Sequence, residues 1–192
     1  MNKNQSIFRE YIDLENKVLS KVDFESIDKI IRLINKVWVK DGFIASAGNG
    51  GSGLNATNIV ADWGKILNNP GSKPLKTICF NDNIAALSAY SNDFSYEEVF
   101  SKQVENYLTS RDLFICFSGS GSSPNIINAL SKCNELGVET IAFLGYDGGK
   151  AIDLTDNSLL VPSFDMQIVE NIHLRIVHFI MKILCDKSLF TE

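Results

Sequence analysis

The stretch SGSGSSPN (118–125) sets four hydroxyls, Ser118, Ser120, Ser122 and Ser123, around two glycines. Gly119 and Gly121 let backbone amides approach a bound group closely. A helical pattern follows at once, and a helix N-terminus offers free N–H groups and the positive end of a dipole to an anion. The anion this suits is a phosphate monoester. No G-K-[ST] triplet is present, which excludes a nucleoside-triphosphate loop. The other reading is a Ser-capped helix start with a flexible turn. A second stretch, GNGGSGLNATNIVAD (48–62), opens with Gly48, Gly50 and Gly53 in a G-x-G-x-x-G pattern. A dinucleotide turn also needs an acidic residue about 20 residues further on. That region reads NNPGSKP (68–74) and holds no acid. The glycines are better read as a loop that holds something smaller.

These loops need strands to place them. Residues from about 5 to 40 read as two helices broken near 20–23, with Ile27, Ile30, Ile31, Leu33, Ile34 and Val37 on one apolar face. GFIASA (42–47) then reads as a strand that runs into the glycine cluster, followed by a helix over 52–67 and a loop over 68–74. LKTICF (75–80), DLFICFS (112–118), VETIAFLG (138–145) and NSLLVPS (157–163) read as further strands. Between and after them, 83–91, 96–108, 123–136 and 166–185 read as helices. Strands alternating with helices imply parallel strands joined by helical crossovers. Their continuous apolar runs fit a sheet covered on both faces. The fold expected is a three-layer α/β/α sandwich, flavodoxin-like, with a five-stranded parallel sheet and an N-terminal helical segment. In such sheets ligands bind beyond the carboxyl ends of the strands, where GNGGS, NDN (81–83) and SGSGSS all fall.

Bulk composition narrows the class. A chain of 192 residues suggests one domain, spanning 1–192, and 45% hydrophobic with 21% charged residues is ordinary for a globular protein. The formal net charge is -5 and no Lys/Arg run stands out, so nucleic acid is not an expected partner. No apolar run is long enough to span a bilayer, and the first residues are too charged for a signal peptide. Cys79, Cys116, Cys133 and Cys185 lack C-x-x-C spacing, which argues against a zinc-thiolate or redox motif and for a cytoplasmic location.

With these pieces in place, the chain resembles the sugar isomerase (SIS) domain family over nearly its whole length, and within it the phosphoheptose isomerase group. GNGGS (48–52), SNDFSYEEVFSKQVE (91–105), SGSGSSPN (118–125) and VENIHLRIVH (169–178) carry the resemblance. It implies that Asn49, Gly50, Gly51, Ser52, Asn92 and Asp93 contact a sugar. It implies that the loop of Ser118, Gly119, Ser120 and Ser123 holds its phosphate. It also implies a homotetramer with sites at subunit interfaces, in which the 1–40 helical segment packs between subunits. The activity implied is aldose–ketose isomerisation of sedoheptulose 7-phosphate to D-glycero-D-manno-heptose 7-phosphate, for surface-polysaccharide heptose synthesis. The alternatives are a non-catalytic SIS module that binds a phosphosugar or a protein, and an isomerase for another sugar phosphate.

Several positions depart from the group's pattern. Asn58 stands where the group has histidine, Asp62 where it has glutamate, Glu170 where it has glutamine, and Gly119 where it has threonine, while His178 is kept. Asn58 and Asp62 lie four apart on one helical face. Glu170 and His178 lie eight apart, within about 80° around a helix axis. All four are therefore expected to converge; the resemblance implies Asp62 and His178 as base and acid, with Glu170 orienting the imidazole or acting as base itself. The same four form the candidate site for a divalent metal such as zinc, held more weakly than in relatives or not at all, because Asn is a poor zinc ligand. His173 lies about 140° from His178 around the helix and is expected to be structural or interfacial.

Overall fold

The computed structural model describes residues 2–66 and 74–185. The loop expected over 68–74 lies, except for Pro74, outside these residues, as does Leu67. The chain opens with α1 (Lys3–Leu19) and α2 (Phe24–Val39). The break between them falls at the expected place and is enforced from the second helix, where the Asp23 side chain accepts from the Glu25 amide as N-cap. Five strands follow: β1 (Phe43–Gly48), β2 (Lys76–Cys79), β3 (Leu113–Ser118), β4 (Glu139–Leu144) and β5 (Asn157–Leu160). They form one sheet in the order β2-β1-β3-β4-β5, with every neighbouring pair parallel. The helices between and after them are α3 (Gly50–Ile66), α4 (Ile84–Asp93), α5 (Ser101–Tyr107), α6 (Pro124–Leu136) and α7 (Met166–Cys185).

Period-two alternation divides the core between the two faces of the sheet. Along β3, Ile115 and Phe117 point to the side covered by α2, α3 and α7, where Ile30, Ile34 and Trp63 are fully buried. Phe114 and Cys116 point to the opposite side, onto Phe100, Val104, Ile126 and Ala129 of the α5 and α6 layer. Both faces are covered, which is why the strands read as unbroken apolar runs. Burial pushes the Cys116 thiol up to about 12 and raises the Cys133 thiol as well, so both behave as core residues.

Two helices differ from expectation. The segment over 96–108 is a short 3-10 turn (Tyr96–Glu98) followed by α5, since the Ser101 hydroxyl donates to the Glu98 carbonyl at 3.1 Å and caps the break. The helix expected over 83–91 extends to Asp93 as α4, so Asn92 and Asp93 end a helix instead of lying in a loop. A 3-10 turn over Gly149–Asp153, which no periodicity marked, is also present.

The order 2-1-3-4-5 reverses direction between β1 and β3. That is the topological switch point, where the loops leaving two adjacent strands diverge and open a crevice. GNGGS leaves β1 and SGSGSS leaves β3.

Candidate active site

The turn after β1 is shaped by close approach. A side-chain carbon on Gly48 would lie 2.5 Å from the Ser52 carbonyl oxygen. The same residue is clamped by Asn81, which follows β2: its amide accepts from Gly48 N at 3.1 Å and donates to Gly48 O at 2.7 Å. The chain then enters α3 at Gly50, whose φ of +54° suits glycine. Against this helix start lies Glu170 of α7. The Ser52 hydroxyl donates to the Glu170 carboxylate at 3.4 Å, and Asn55 Nδ2 donates to the Glu170 backbone carbonyl at 3.0 Å. A side-chain carbon on Gly51 would fall 2.2 Å from the same carboxylate. A side-chain carbon there would displace the flexible end of Glu170.

The loop after β3 forms the other wall. The Ser118 hydroxyl accepts from Gly121 N at 3.1 Å, and the Ser120 hydroxyl accepts from Ser122 N at 3.3 Å. Ser123 stands at the N-cap of α6, yet its side chain makes no capping hydrogen bond. The capped-helix alternative thus lacks its defining contact; Pro124 has no N–H and Ile126 N donates to the Ser123 carbonyl at 3.0 Å, so the Asn125 amide is what this helix start offers an anion. Asn49, Gly50, Gly51, Ser52, Ser118, Gly119, Ser120, Ser123 and Glu170 together line one cavity of about 260 Å³, with Phe117 and Met166 as its apolar members.

The remaining expected residues fall elsewhere. Asn92 and Asp93 are exposed, bonded to each other at 2.9 Å, and do not line this cavity. Asp62 and His178 are brought to each other, with Oδ2 and Nε2 3.4 Å apart. They do not line the cavity either. Helices α3 and α7 run side by side in the same direction, with Ser52 and Asn55 opposite Glu170, and Asp62 and Trp63 opposite His178 and Val177. Eight residues of helix separate Glu170 from His178 by about 12 Å along the axis. The expected convergence of Asn58, Asp62, Glu170 and His178 is therefore corrected to two separate contacts within one chain.

This bears on the metal. The Asn58 amide oxygen is buried without a partner, which leaves one donor atom free. Its neighbours do not complete a set, since Asp62 and His178 face each other and Glu170 is engaged at the helix start. Among the described residues, no three His, Cys, Asp or Glu side chains gather so as to hold a metal ion. The residues of one chain do not fit a zinc centre, and no catalytic step is derived through one.

His173 is fully buried, with Nε2 3.0 Å from the Leu144 carbonyl and its ring edge-on to Phe117 and Phe143. It is structural, as expected. Burial pushes its pKa from the ordinary 6.5 down to about 4, against the opposing effect of the Leu144 hydrogen bond. The unfolded chain then binds the extra proton first, so stability is complete above pH 6.5 and is lost as pH falls toward 4. Urea unfolding at pH 7 and pH 4.5 should differ by roughly 2–3 kcal/mol from this group, and His173→Leu should remove that part of the difference.

Sequence reasoning missed Asn81, Met166, Asn125 and Tyr96. Asn125 accepts from Asn49 Nδ2 at 2.8 Å and donates to Asn49 Oδ1 at 2.9 Å, and the Tyr96 hydroxyl donates to the same oxygen at 2.8 Å. Asn125 and Tyr96 both sit inside the motifs that were singled out, but their partner lies 76 and 47 residues away.

Comparison with known proteins shows the family. A family model described as SIS domain matches residues 8–145. The probable phosphoheptose isomerase of Thermoplasma volcanium is 32% identical over 175 residues, covering 91% of this chain and 89% of the relative. The phosphoheptose isomerase of Helicobacter pylori is 36% identical over 163 residues, covering 84% and 82%. The solved phosphoheptose isomerase of Neisseria gonorrhoeae superposes with a TM-score of 0.87 at 26% identity, covering 95% of this chain and 98% of that one. The chain belongs to the SIS domain family and, within it, to the phosphoheptose isomerase group.

Proposed function

We propose that the protein is a phosphosugar aldose–ketose isomerase that converts sedoheptulose 7-phosphate to D-glycero-D-manno-heptose 7-phosphate, serving surface-polysaccharide heptose synthesis. One observation carries this reading: a single cavity joins the serine loop, suited to a phosphate, to the Glu170 carboxylate above the GNGGS turn. The phosphate sits against Ser118, Ser120, Ser123 and the Asn125 amide at the start of α6, while Gly119 leaves room for the backbone to approach. The carbonyl end of the sugar then reaches Asn49, Gly50, Gly51 and Ser52. Isomerisation removes a proton from C1 of the ketose, passes through an enediol, and returns a proton to C2 as the hydroxyl proton moves between the two oxygens. Glu170 takes the carbon proton and gives it back as general base and acid. The Ser52 hydroxyl and the first amides of α3 face the oxygen on which negative charge develops.

Asp62 and His178 have a separate part in this proposal. The pair lies on the α3–α7 surface, with the His178 side chain 44% exposed. It reaches a reacting sugar only where a second subunit's cavity faces it. A homotetramer with sites at its interfaces provides this. It is supported by the exposed apolar residues Ile7, Phe8, Ile12 and Leu14 on α1 and by an α4 with no buried residue. The whole chain is then one SIS unit, with residues 1–40 used in subunit packing. Asn92 and Asp93, exposed at the end of α4, meet the sugar in the same assembly. A reducing, cytoplasmic setting is supported by four free cysteines, and among the described residues no helix is long and apolar enough to cross a membrane.

The test is turnover of five-, six- and seven-carbon ketose phosphates, followed by aldose formation, on protein whose mass is measured in solution. The seven-carbon substrate should react fastest. Asp62→Asn and His178→Gln should each lower kcat by about 10- to 100-fold in the assembled protein. Unchanged turnover in both variants would remove the pair from the mechanism. A panel with no turnover at all would leave a phosphosugar-binding module.

A further inference from the structure

We propose that Asn125 and Tyr96 are positioning residues that hold the Asn49 amide in one orientation, so that its remaining N–H faces the sugar, and that this bond network ties the phosphate end of the cavity to the reacting end. The proposal rests on the reading of this cavity as the isomerase site.

An Asn side chain carries two N–H donors and an oxygen with two lone pairs. In Asn49 both lone pairs are taken, one by Asn125 Nδ2 at 2.9 Å and one by the Tyr96 hydroxyl at 2.8 Å. One donor is spent on Asn125 Oδ1 at 2.8 Å. The other remains, on a side chain that lines the cavity. The two amides form a closed reciprocal pair, so neither can rotate without breaking both bonds. Asn125 is only 2% exposed, where an unpaired amide is costly, and this makes the pair an all-or-none contact. Tyr96 then selects which face of Asn49 carries the oxygen.

The placement of the partners gives the network its use. Asn125 is the second residue of α6, directly after Ser123 and Pro124, so it moves with the helix start that receives the phosphate. Asn49 opens the turn that leads into α3, where Ser52 meets Glu170. Tyr96 starts the 3-10 turn just beyond Asn92 and Asp93. The segments that follow β1 and β3 and the turn between α4 and α5 are thus joined through one amide. Binding energy gathered at the phosphate is thereby converted into orientation at the carbon that reacts.

The experiment is a double-mutant cycle on the full chain. Asn49→Ala, Asn125→Ala, the double variant and Tyr96→Phe are compared for kcat and KM on sedoheptulose 7-phosphate, for inorganic phosphate binding by calorimetry, and for melting temperature. Asn125→Ala should lower kcat by about tenfold and Tyr96→Phe by about threefold, with inorganic phosphate affinity kept within about twofold. The double variant should be no slower than Asn49→Ala, because Asn125 acts only through Asn49. A double variant slowed by the product of the two single effects would overturn the proposal, as would phosphate affinity falling in step with kcat. If Asn125→Ala does not fold, Tyr96→Phe, which loses one exposed hydroxyl, carries the same test against Asn49→Ala. If the unaltered protein turns over no heptose phosphate, the isomerase reading fails by itself. The cycle is then read from the affinity for sedoheptulose 7-phosphate relative to inorganic phosphate, with the same two outcomes.

Discussion

Glu170→Gln should lower kcat for sedoheptulose 7-phosphate by about 10²- to 10⁴-fold, the range for loss of a positioned general base. The substitution keeps the shape of the side chain and the hydrogen bond from Ser52, and it removes the group that accepts the proton. KM should change little, because the phosphate contacts lie on the opposite wall of the cavity. Melting temperature should hold or rise slightly, since a partly buried carboxylate facing a single hydroxyl at 3.4 Å gains little from its charge. The discriminating measurement is exchange of the C1 proton of the substrate with solvent deuterium, read by NMR. Loss of exchange together with loss of turnover assigns proton abstraction to Glu170. Retained exchange would give that step to the Asp62–His178 pair and leave Glu170 to orient the sugar.

Gly121→Ala should be the most damaging single change in the phosphate loop. Gly121 has φ of +61°, which an alanine adopts at a cost of about 1–3 kcal/mol. It also has no room, since a side-chain carbon would lie 1.9 Å from the Gly148 carbonyl oxygen. That oxygen belongs to backbone, so relief requires the loop after β4 to move, and overpacking of this kind costs about 1–3 kcal/mol more. The contact being forced apart is shared, because Ala151 N donates to Gly121 O at 2.9 Å. The variant should lose roughly 2–6 kcal/mol in urea unfolding and most of its affinity for inorganic phosphate. Full stability with phosphate affinity intact would show that the loop is not the rigid cradle described above.

Much of this architecture was legible from the chain. The five strands and their parallel pairing follow from apolar runs alternating with helical periodicity, and both are present. The break before Asp23, the turn at Gly48 and the opening of α6 after Ser123 were all marked by residues whose chemistry acts locally. What local chemistry cannot show is distance along a neighbour. Glu170 and His178 lie within about 80° of each other on a helical wheel, which suggests convergence, but a wheel discards the rise along the axis. The partner helix α3 runs parallel to α7, so each residue meets a different level of it, Ser52 in one case and Asp62 in the other. The Asn49–Asn125–Tyr96 network was hidden for a related reason. Each residue sits in a recognisable motif, but their contact depends on the order of the strands, which no single segment encodes.

That strand order also has a consequence for how the protein is made. The two loops of the cavity lie side by side because β1 and β3 pair directly, and the second is braced from beyond β4 by Ala151 N donating to Gly121 O. Glu170 follows Ser52 by 118 residues, and its helix closes the described chain. During synthesis the chain proceeds from its N-terminus, and a domain generally folds as a unit. Both loops therefore emerge ahead of α7, whose Ile168, Val169, Ile172 and Ile180 complete the core on one face of the sheet, and the anion cradle and its base are finished together when that helix docks.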